Sequence, residues 1–513
     1  MENKETTYNL PDSWIWTTLG EIGIVTSGGT PSSRQPDFWG GDIAWITPAD
    51  LSNYKNKYIE QGQRSITKVG LDNSSAKLLP KGTVLFSSRA PIGYTVIAKN
   101  EIATNQGFKN LILTKSGYPD YIYYFLLASK QLAESYASGT TFLELSATKF
   151  SQIPFPLPPL EEQYRIVDKI EELFSELDKS QENLLNAQKQ LEIYRQVVLK
   201  DAFKNYLKKN NVENIKTISE IGEVKGGKRL PKGHNYSDIA TDFPYLRVTD
   251  FQNFSINQFQ LKYILESTQK EITNYTISSE DVYISIAGTI GLSGIIPKQL
   301  NNSNLTENAA KICNLKGINN KFLSYFLNSD FGQKQINGRT RATSQPKLAL
   351  YHIRTIKIPV PKLNIQLEIN NQIEYRFTLI ENIEKSVIEN LKRIEIFRQV
   401  ILQKAFTSNL VPQHDSDEPA SVLLGRIQKE KAVYAIQQKE IAKNKPQKLF
   451  YMESNKTIKE ILEEATEPME AKDIWQRSIH KDDIEKFYEE IKQLSAKIEE
   501  IREGKISKLS LKR

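Results

Sequence analysis

The sequence is poor in the residues that build disulfides, metal sites and membrane spans. Its single cysteine, Cys313, rules out an internal disulfide and fits a reducing cytoplasm. The four histidines, His234, His352, His414 and His480, lie far apart and show no metal-ligand spacing. No stretch approaches the roughly 18–20 consecutive apolar residues that cross a bilayer. The N-terminal MENKETTYNLPDSW lacks the apolar core of a signal peptide. There is no G-x-x-x-x-G-K-[ST] element for nucleotide phosphates; Gly226-Gly227-Lys228-Arg229 is only a fragment of one. Neither a Gly-rich turn suited to adenosylmethionine nor an Asn-Pro-Pro-aromatic methyltransferase motif occurs. Glu490-Ile491-Lys492 has a nuclease-like E-x-K form, but such triplets arise by chance in a helix rich in Glu and Lys. The expectation is a cytoplasmic, non-catalytic chain with no metal, no cofactor of its own and no membrane contact.

What is present is length, charge and repetition. A chain of 513 residues exceeds a single core, so three or more folded units are expected. Lys plus Arg number 68 against 61 Asp plus Glu, a net +7 that permits a polyanionic partner without demonstrating one. The segment LEIYRQVVLKDAF, from Leu191 to Phe203, returns as IEIFRQVILQKAF, from Ile394 to Phe406. The same offset places Gln163 on Gln366, Phe174 on Phe377, Arg195 on Arg398, and IPFPLPPL on IKIPVPKL. At a slightly smaller offset EIGIVTSGG (Glu21 to Gly29) pairs with EIGEVKGGK (Glu220 to Lys228). The chain is a tandem duplication of about 200 residues followed by a tail of about 100.

Each copy divides in two. The first part holds short β-rich runs cut by Gly, Pro, Ser and Asn clusters, which predicts a small sheet with long loops and one packed helix. A Pro-rich strap closes it. The second part is a long helix without Gly or Pro. Apolar residues recur at coiled-coil spacing at Ile170, Leu173, Leu177, Leu184, Ala187, Leu191, Tyr194 and Val198, interrupted by Ser180. The second copy keeps the pattern at Ile373, Ile380, Ile383, Val387, Ile394, Phe397 and Ile401, with Arg376 and Asn390 as interruptions. From Leu160 to Phe203 such a helix runs roughly 65 Å, longer than a small domain can cover. The nearest partner of equal length is the other copy, paired antiparallel, which gives one chain an approximate two-fold axis. The predicted fold class is α+β, with domains at 1–158 (first β-rich domain), 159–210 (first helix), 211–360 (second β-rich domain), 361–412 (second helix) and 413–513 (a helical tail).

This pattern resembles the specificity subunit of Type I restriction–modification systems, over roughly residues 10 to 430. The resemblance rests on PLPPLEEQYRIVDKIEELF after a β-rich domain, its weaker copy IPVPKLNIQLEINNQIE, the paired RQV helix ends, and DEPASVLLGRI from Asp417 to Ile427. It implies two domains that each read one half of a split double-stranded DNA target. It implies helices that fix the unspecified spacer and hold two methyltransferase (M) subunits, and a nuclease–translocase (R) subunit that joins them. Adenosylmethionine, ATP and Mg then belong to the partners. The second copy departs from the family's pattern, with LNIQLEI where the first has LEEQYRI. Two other readings stay open at this point: a coiled-coil scaffold that binds no DNA, and a stand-alone methyltransferase or nuclease with degenerate motifs.

Base reading needs paired donors and acceptors, above all Arg for guanine and Asn or Gln for adenine. In copy one the candidates are Arg34, Gln35, Ser88, Arg89, Tyr94, Asn105, Gln106 and Lys109. In copy two they are Lys228, Arg229, Lys232, Thr289, Arg339, Arg341 and Gln345. They lie in SGGTPSSRQPDFWGG, FSSRAPIGY and TNQGFK of copy one and in GGKRLPKGHNYSD, AGTIG and NGRTRATSQPK of copy two.

Overall fold

The computed structural model describes residues 8–89, 91–138, 143–209, 214–338, 346–444, 456–465, 468–480, 484–503 and 506–512. The chain forms two compact units. One holds Leu10–Glu161 with Ser416–Arg513; the other holds Met1–Asn9 with Glu162–Asp415.

In the first of these, domain one is built on a five-stranded sheet in the order Gly23–Ser27, Phe108–Leu113, Val84–Ser88, Ile92–Ala98, Tyr58–Ile59. A smaller sheet joins Arg64–Ile66, Trp39–Ile46 and Ala103–Thr104. Their apolar faces enclose Ile46, Leu85, Val96, Phe108 and Ile112. The Pro-rich strap is itself a strand, Pro154–Leu157, paired antiparallel with Ile15–Thr18. Prolines at alternate positions, Pro154 and Pro156, are compatible with a two-stranded ribbon, because only every second residue turns its N–H toward the partner.

The tail starts as the helix Ala420–Asn444, which lies on domain one. Ala420, Leu423 and Ile427, spaced three and four apart, are buried. Glu430 accepts from Ser116 N at 3.1 Å and from its Oγ at 2.8 Å. Lys431 Nζ donates to the Gly20 and Glu21 carbonyls at the end of the short helix Leu19–Ile22. Burial lowers the Lys431 pKa, opposed by the charge of Glu21. A cation on helix-terminal carbonyls is a favourable placement. Lys431→Met is expected to cost about 1–2 kcal/mol of tail docking. Hydrogen exchange would show this as faster exchange confined to residues 420–444, and unchanged exchange there would exclude the anchor.

Residues 456–512 depart from the expected helical tail. The helices Ile458–Glu464, Ala471–Arg477 and Ile484–Gln493 are present, but a three-stranded sheet joins them, in the order Met469–Glu470, Ile506–Leu511, Ile498–Glu503. This is the connectivity of a winged helix. Ile498, Leu509 and the partly buried Leu511 face the core formed by Ile461, Ile474 and Phe487. The abundance of Glu and Lys masks that strand alternation in the sequence.

In the other unit, domain two repeats the same frame. Glu223–Gly226, Ala309–Cys313, Val282–Ser285 and Ser293–Gly294 form one sheet; Lys262–Tyr263, Pro244–Leu246, Ser303–Leu305 and Thr276–Ile277 form the second. Ile215–Thr217 pairs with Lys357–Pro359 as the closing ribbon. Both long helices enter this domain's core: Val198, Leu199 and Phe203 from the first, Ile369, Ile373, Phe377 and Ile380 from the second. Phe203 packs edge-on against Phe322 at 5.4 Å and Phe326 at 5.3 Å.

The long helices are Leu160–Lys209, 50 residues, and Leu363–Phe406, 44 residues. Arg195 Nη2 lies 2.7 Å from Glu384 Oε2, and its guanidinium stands 5.4 Å from the Phe377 ring. Arg398 pairs with Asp178 and stands 4.9 Å from the Phe174 ring. Residue numbers rise along one helix as they fall along the other, so the pair is antiparallel. The arginines and the rings of the two clamps correspond at the offset of 203, but the acids do not: Glu384 matches Gln181, and Asp178 matches Glu381.

The seam corrects three expected positions. Ile170, Val198, Ile373, Ile380, Val387 and Ile394 are buried, and Leu173, Leu177, Leu184, Leu191 and Ile401 are half-buried. Tyr194, Ile383 and Phe397 are exposed, at 47%, 50% and 51%. Heptad positions 170, 177, 184, 191 and 198 hold, but the step between them runs four then three. The seam therefore takes Phe174, Gln181 and Arg195 on one helix and Glu384 and Arg398 on the other, and Ser180 is exposed. Reading by hydrophobicity picks the apolar neighbour of each charged seam residue and so misplaces the stripe by one residue, about 100° around the helix.

Candidate nucleic-acid interface

Each recognition domain builds its exposed loops on the same backbone frame. In domain one the strand Gly23–Ser27 runs into Gly28 and Gly29, which lie against Ala103–Thr104. Gly29 N donates to Thr104 O at 2.8 Å. A Cβ on Gly28 would stand 2.0 Å from Asn105 O, so the approach requires glycine. The Trp45 indole donates to Gly29 O at 2.9 Å and pins the loop. Domain two repeats every contact. Lys228 N donates to Leu305 O at 2.8 Å, a Cβ on Gly227 would stand 2.0 Å from Thr306 O, and the Tyr245 hydroxyl donates to Lys228 O at 2.6 Å.

The side chains on that frame differ. In domain one Thr30 donates its hydroxyl to Gln106 Oε1. In domain two the matching positions hold Arg229 and Glu307, with Nε donating to Oε1 at 2.6 Å. Burial raises the Glu307 pKa, but hydrogen bonds from Arg229 and Thr306 outweigh it and hold the carboxyl below its usual range. The hydrogen bond and charge of Glu307 hold Arg229 above its usual range. A second turn is also shared. Ser87 Oγ donates to Pro91 O at 2.7 Å and accepts from Tyr94 N at 2.8 Å; Ser285 Oγ donates to Thr289 O and accepts from Leu292 N at 2.9 Å.

Arg34, Gln35, Gln106, Lys228, Arg229, Lys232 and Thr289 are exposed, as a contact surface needs. Lys228 Nζ stands 5.6 Å from the Tyr275 ring. Arg89, Tyr94 and Asn105 are half-buried. Arg89 lies 3.7 Å from Glu144, and Asn105 Oδ1 accepts from Gly107 N at 2.9 Å. Ser88 and Lys109 are corrections, because both are buried parts of the frame. Ser88 ends a central strand and donates to Gly107 O at 3.0 Å. Lys109 begins the neighbouring strand, 3.7 Å from Glu144, and burial lowers its pKa while Glu144 opposes the shift. Arg339, Arg341 and Gln345 lie outside the described residues. Arg64 was not expected from sequence. Its exposed guanidinium stacks 3.5 Å from the Trp39 ring, an aromatic supplied by another strand. Among the described residues no group of His, Cys, Asp and Glu is arranged to hold a metal ion, and no helix is long and apolar enough to cross a membrane.

The helical pair exposes a second repeated surface. Ile193, Tyr194 and Val197 are 65%, 47% and 40% exposed; their counterparts Ile396, Phe397 and Val400 are 60%, 51% and 38% exposed. Spacings of one, three and four residues place each trio on one stripe. Exposed apolar residues scattered singly need no explanation, but the same clustered trio kept in both copies points to a partner surface.

The family described as Type I restriction modification DNA specificity domain matches the chain over residues 11–187 and 210–393. The chain is similar to the Type I restriction enzyme MjaIX specificity subunit of Methanocaldococcus jannaschii, 30% identical over 427 residues, covering 78% of this chain and 93% of that protein. It is also similar to the EcoBI specificity subunit of Escherichia coli, 22% identical over 461 residues, covering 83% and 94% of the two chains. A chain from a solved structure concerned with complex assembly and conformational transition of the type I R-M system shares the fold. Its TM-score is 0.59 at 18% identity, covering 79% of this chain and all of that one. The chain therefore belongs to the Type I restriction modification DNA specificity family, the non-catalytic, target-recognising subunits of Type I systems.

Proposed function

We propose that the two domains each read one half of a split double-stranded DNA target. Two methyltransferase subunits dock on the twin apolar trios, and nuclease–translocase subunits join that assembly in the cytoplasm. The observation that carries this reading is the duplicated exposed stripe, Ile193–Tyr194–Val197 and Ile396–Phe397–Val400. A surface written twice on one chain suits two copies of one partner, related by the same two-fold axis as the helices. Adenosylmethionine, ATP and Mg are supplied on the partner subunits, and the helical pair sets the length of the unspecified spacer.

The test mixes the purified chain with the methyltransferase encoded beside it. Native mass spectrometry is expected to find two methyltransferase subunits per chain. Methyl transfer to DNA is expected only from the complex, at a bipartite sequence. A one-to-one complex would overturn the stoichiometry. Methylation by the chain alone would overturn the division of labour.

A further inference from the structure

We infer that the paired positions on the shared frame are base-reading elements: Arg229, oriented by Glu307, reads a guanine in one half-site, and Gln106, oriented by Thr30, reads an adenine in the other. This rests on the reading of the chain as a bipartite DNA reader and deepens it by naming residues and bases.

The geometry favours base edges over phosphates. Arg229 is 80% exposed at its side chain, while Glu307 is 26% exposed beside it. Glu307 accepts from Nε, and this bond uses neither of the two terminal nitrogens. Those two donors are the pair that meets guanine O6 and N7. A carboxylate 2.6 Å from the guanidinium repels a phosphate but tolerates the neutral acceptors of a guanine edge. In domain one the pair is neutral. Thr30 donates to one lone pair of Gln106 Oε1 and leaves the other lone pair and the amide N–H donors. That set matches adenine N6 and N7.

The frame fixes where these side chains stand. Gly28 and Gly227 accept no Cβ, and Trp45 and Tyr245 hold the next carbonyl. Two domains that present different side chains from one rigid position are suited to read different bases at corresponding points of two half-sites.

The experiment maps methylated sites in cells that carry the wild-type chain with its methyltransferase, then Arg229→Ala, Arg229→Ala/Glu307→Gln, Gln106→Ala, and the exchange Thr30→Arg/Gln106→Glu. Arg229→Ala is expected to relax one guanine of one half-site by roughly 5- to 150-fold in discrimination, with the other half-site and the spacing unchanged. The Arg229→Ala/Glu307→Gln pair, which leaves no unpaired carboxylate, is expected to relax the same guanine. Gln106→Ala is expected to relax one adenine of the other half-site. The exchange is expected to install a guanine there. A uniform loss of affinity across all sequences, with a shallower salt dependence, would make Arg229 a phosphate contact and overturn the assignment. Unchanged targets for all four variants, with melting temperatures equal to wild type, would also overturn it. A wild-type complex that methylates only undivided sequences would sink the bipartite reading itself, an outcome separable from failure of the pair.

Discussion

The double substitution Ile396→Glu/Phe397→Glu is expected to leave a folded chain that holds one methyltransferase subunit, against the two proposed for the wild type. Both side chains are exposed, at 60% and 51%, so charge there costs the free chain little. At a buried interface each lost apolar side chain forfeits about 1.5–3 kcal/mol, before the cost of desolvating two carboxylates. A loss of about 4 kcal/mol is roughly 1,000-fold in Kd, enough to empty one site at micromolar concentration. The mirror substitution Ile193→Glu/Tyr194→Glu is expected to empty the other site, and all four together both sites. Light scattering after gel filtration reads the masses directly. Retention of two subunits by the quadruple variant would remove the twin stripes from the assembly.

Arg195→Ala is expected to destabilise the helical pair far more than the symmetry-related Arg398→Ala. The Arg195 side chain is 4% exposed, bonded twice to Glu384, and stands against Phe377, which stacks on Phe254 at 5.2 Å and meets Tyr325 edge-on at 5.9 Å. Removing it leaves the Glu384 carboxylate uncompensated and opens a gap over Phe377, a cost of about 3 kcal/mol. Arg398 pairs with Asp178, whose side chain is 67% exposed, so water replaces the guanidinium and the cost stays below about 1 kcal/mol. At about 2–4 °C per kcal/mol for a unit of this size, the two variants separate by several degrees in Tm. The pair Arg195→Met/Glu384→Met is expected to recover most of the loss, because a well-packed apolar pair replaces a buried ion pair at little cost. Equal Tm shifts for both arginines would show that burial does not distinguish the clamps.

The duplication, the antiparallel pairing of two long helices and the β-rich character of each repeat were determined by the sequence alone. They rest on local signals: a closely similar helix end written twice, a seven-residue apolar period, and Gly and Pro at the joints. Family membership was legible for the same reason, since its motifs are contiguous strings. The face of each helix that is buried was decided by tertiary packing. The charges of Arg195 and Arg398 enter the seam only because acids and aromatic rings on the opposite helix receive them, and no window of sequence contains both partners. Packing also sorted the loop residues. Ser88 and Lys109 read like contact residues beside Arg89 and Gln106, but they sit on strands buried on both faces, where Ser88 bonds Gly107 O and Lys109 lies near Glu144. The correspondence of Thr30–Gln106 with Arg229–Glu307 emerges only when strands far apart in sequence are brought together by the sheet. A site assembled from two loops about 76 residues apart is a property of strand order, and strand order is set by long-range burial.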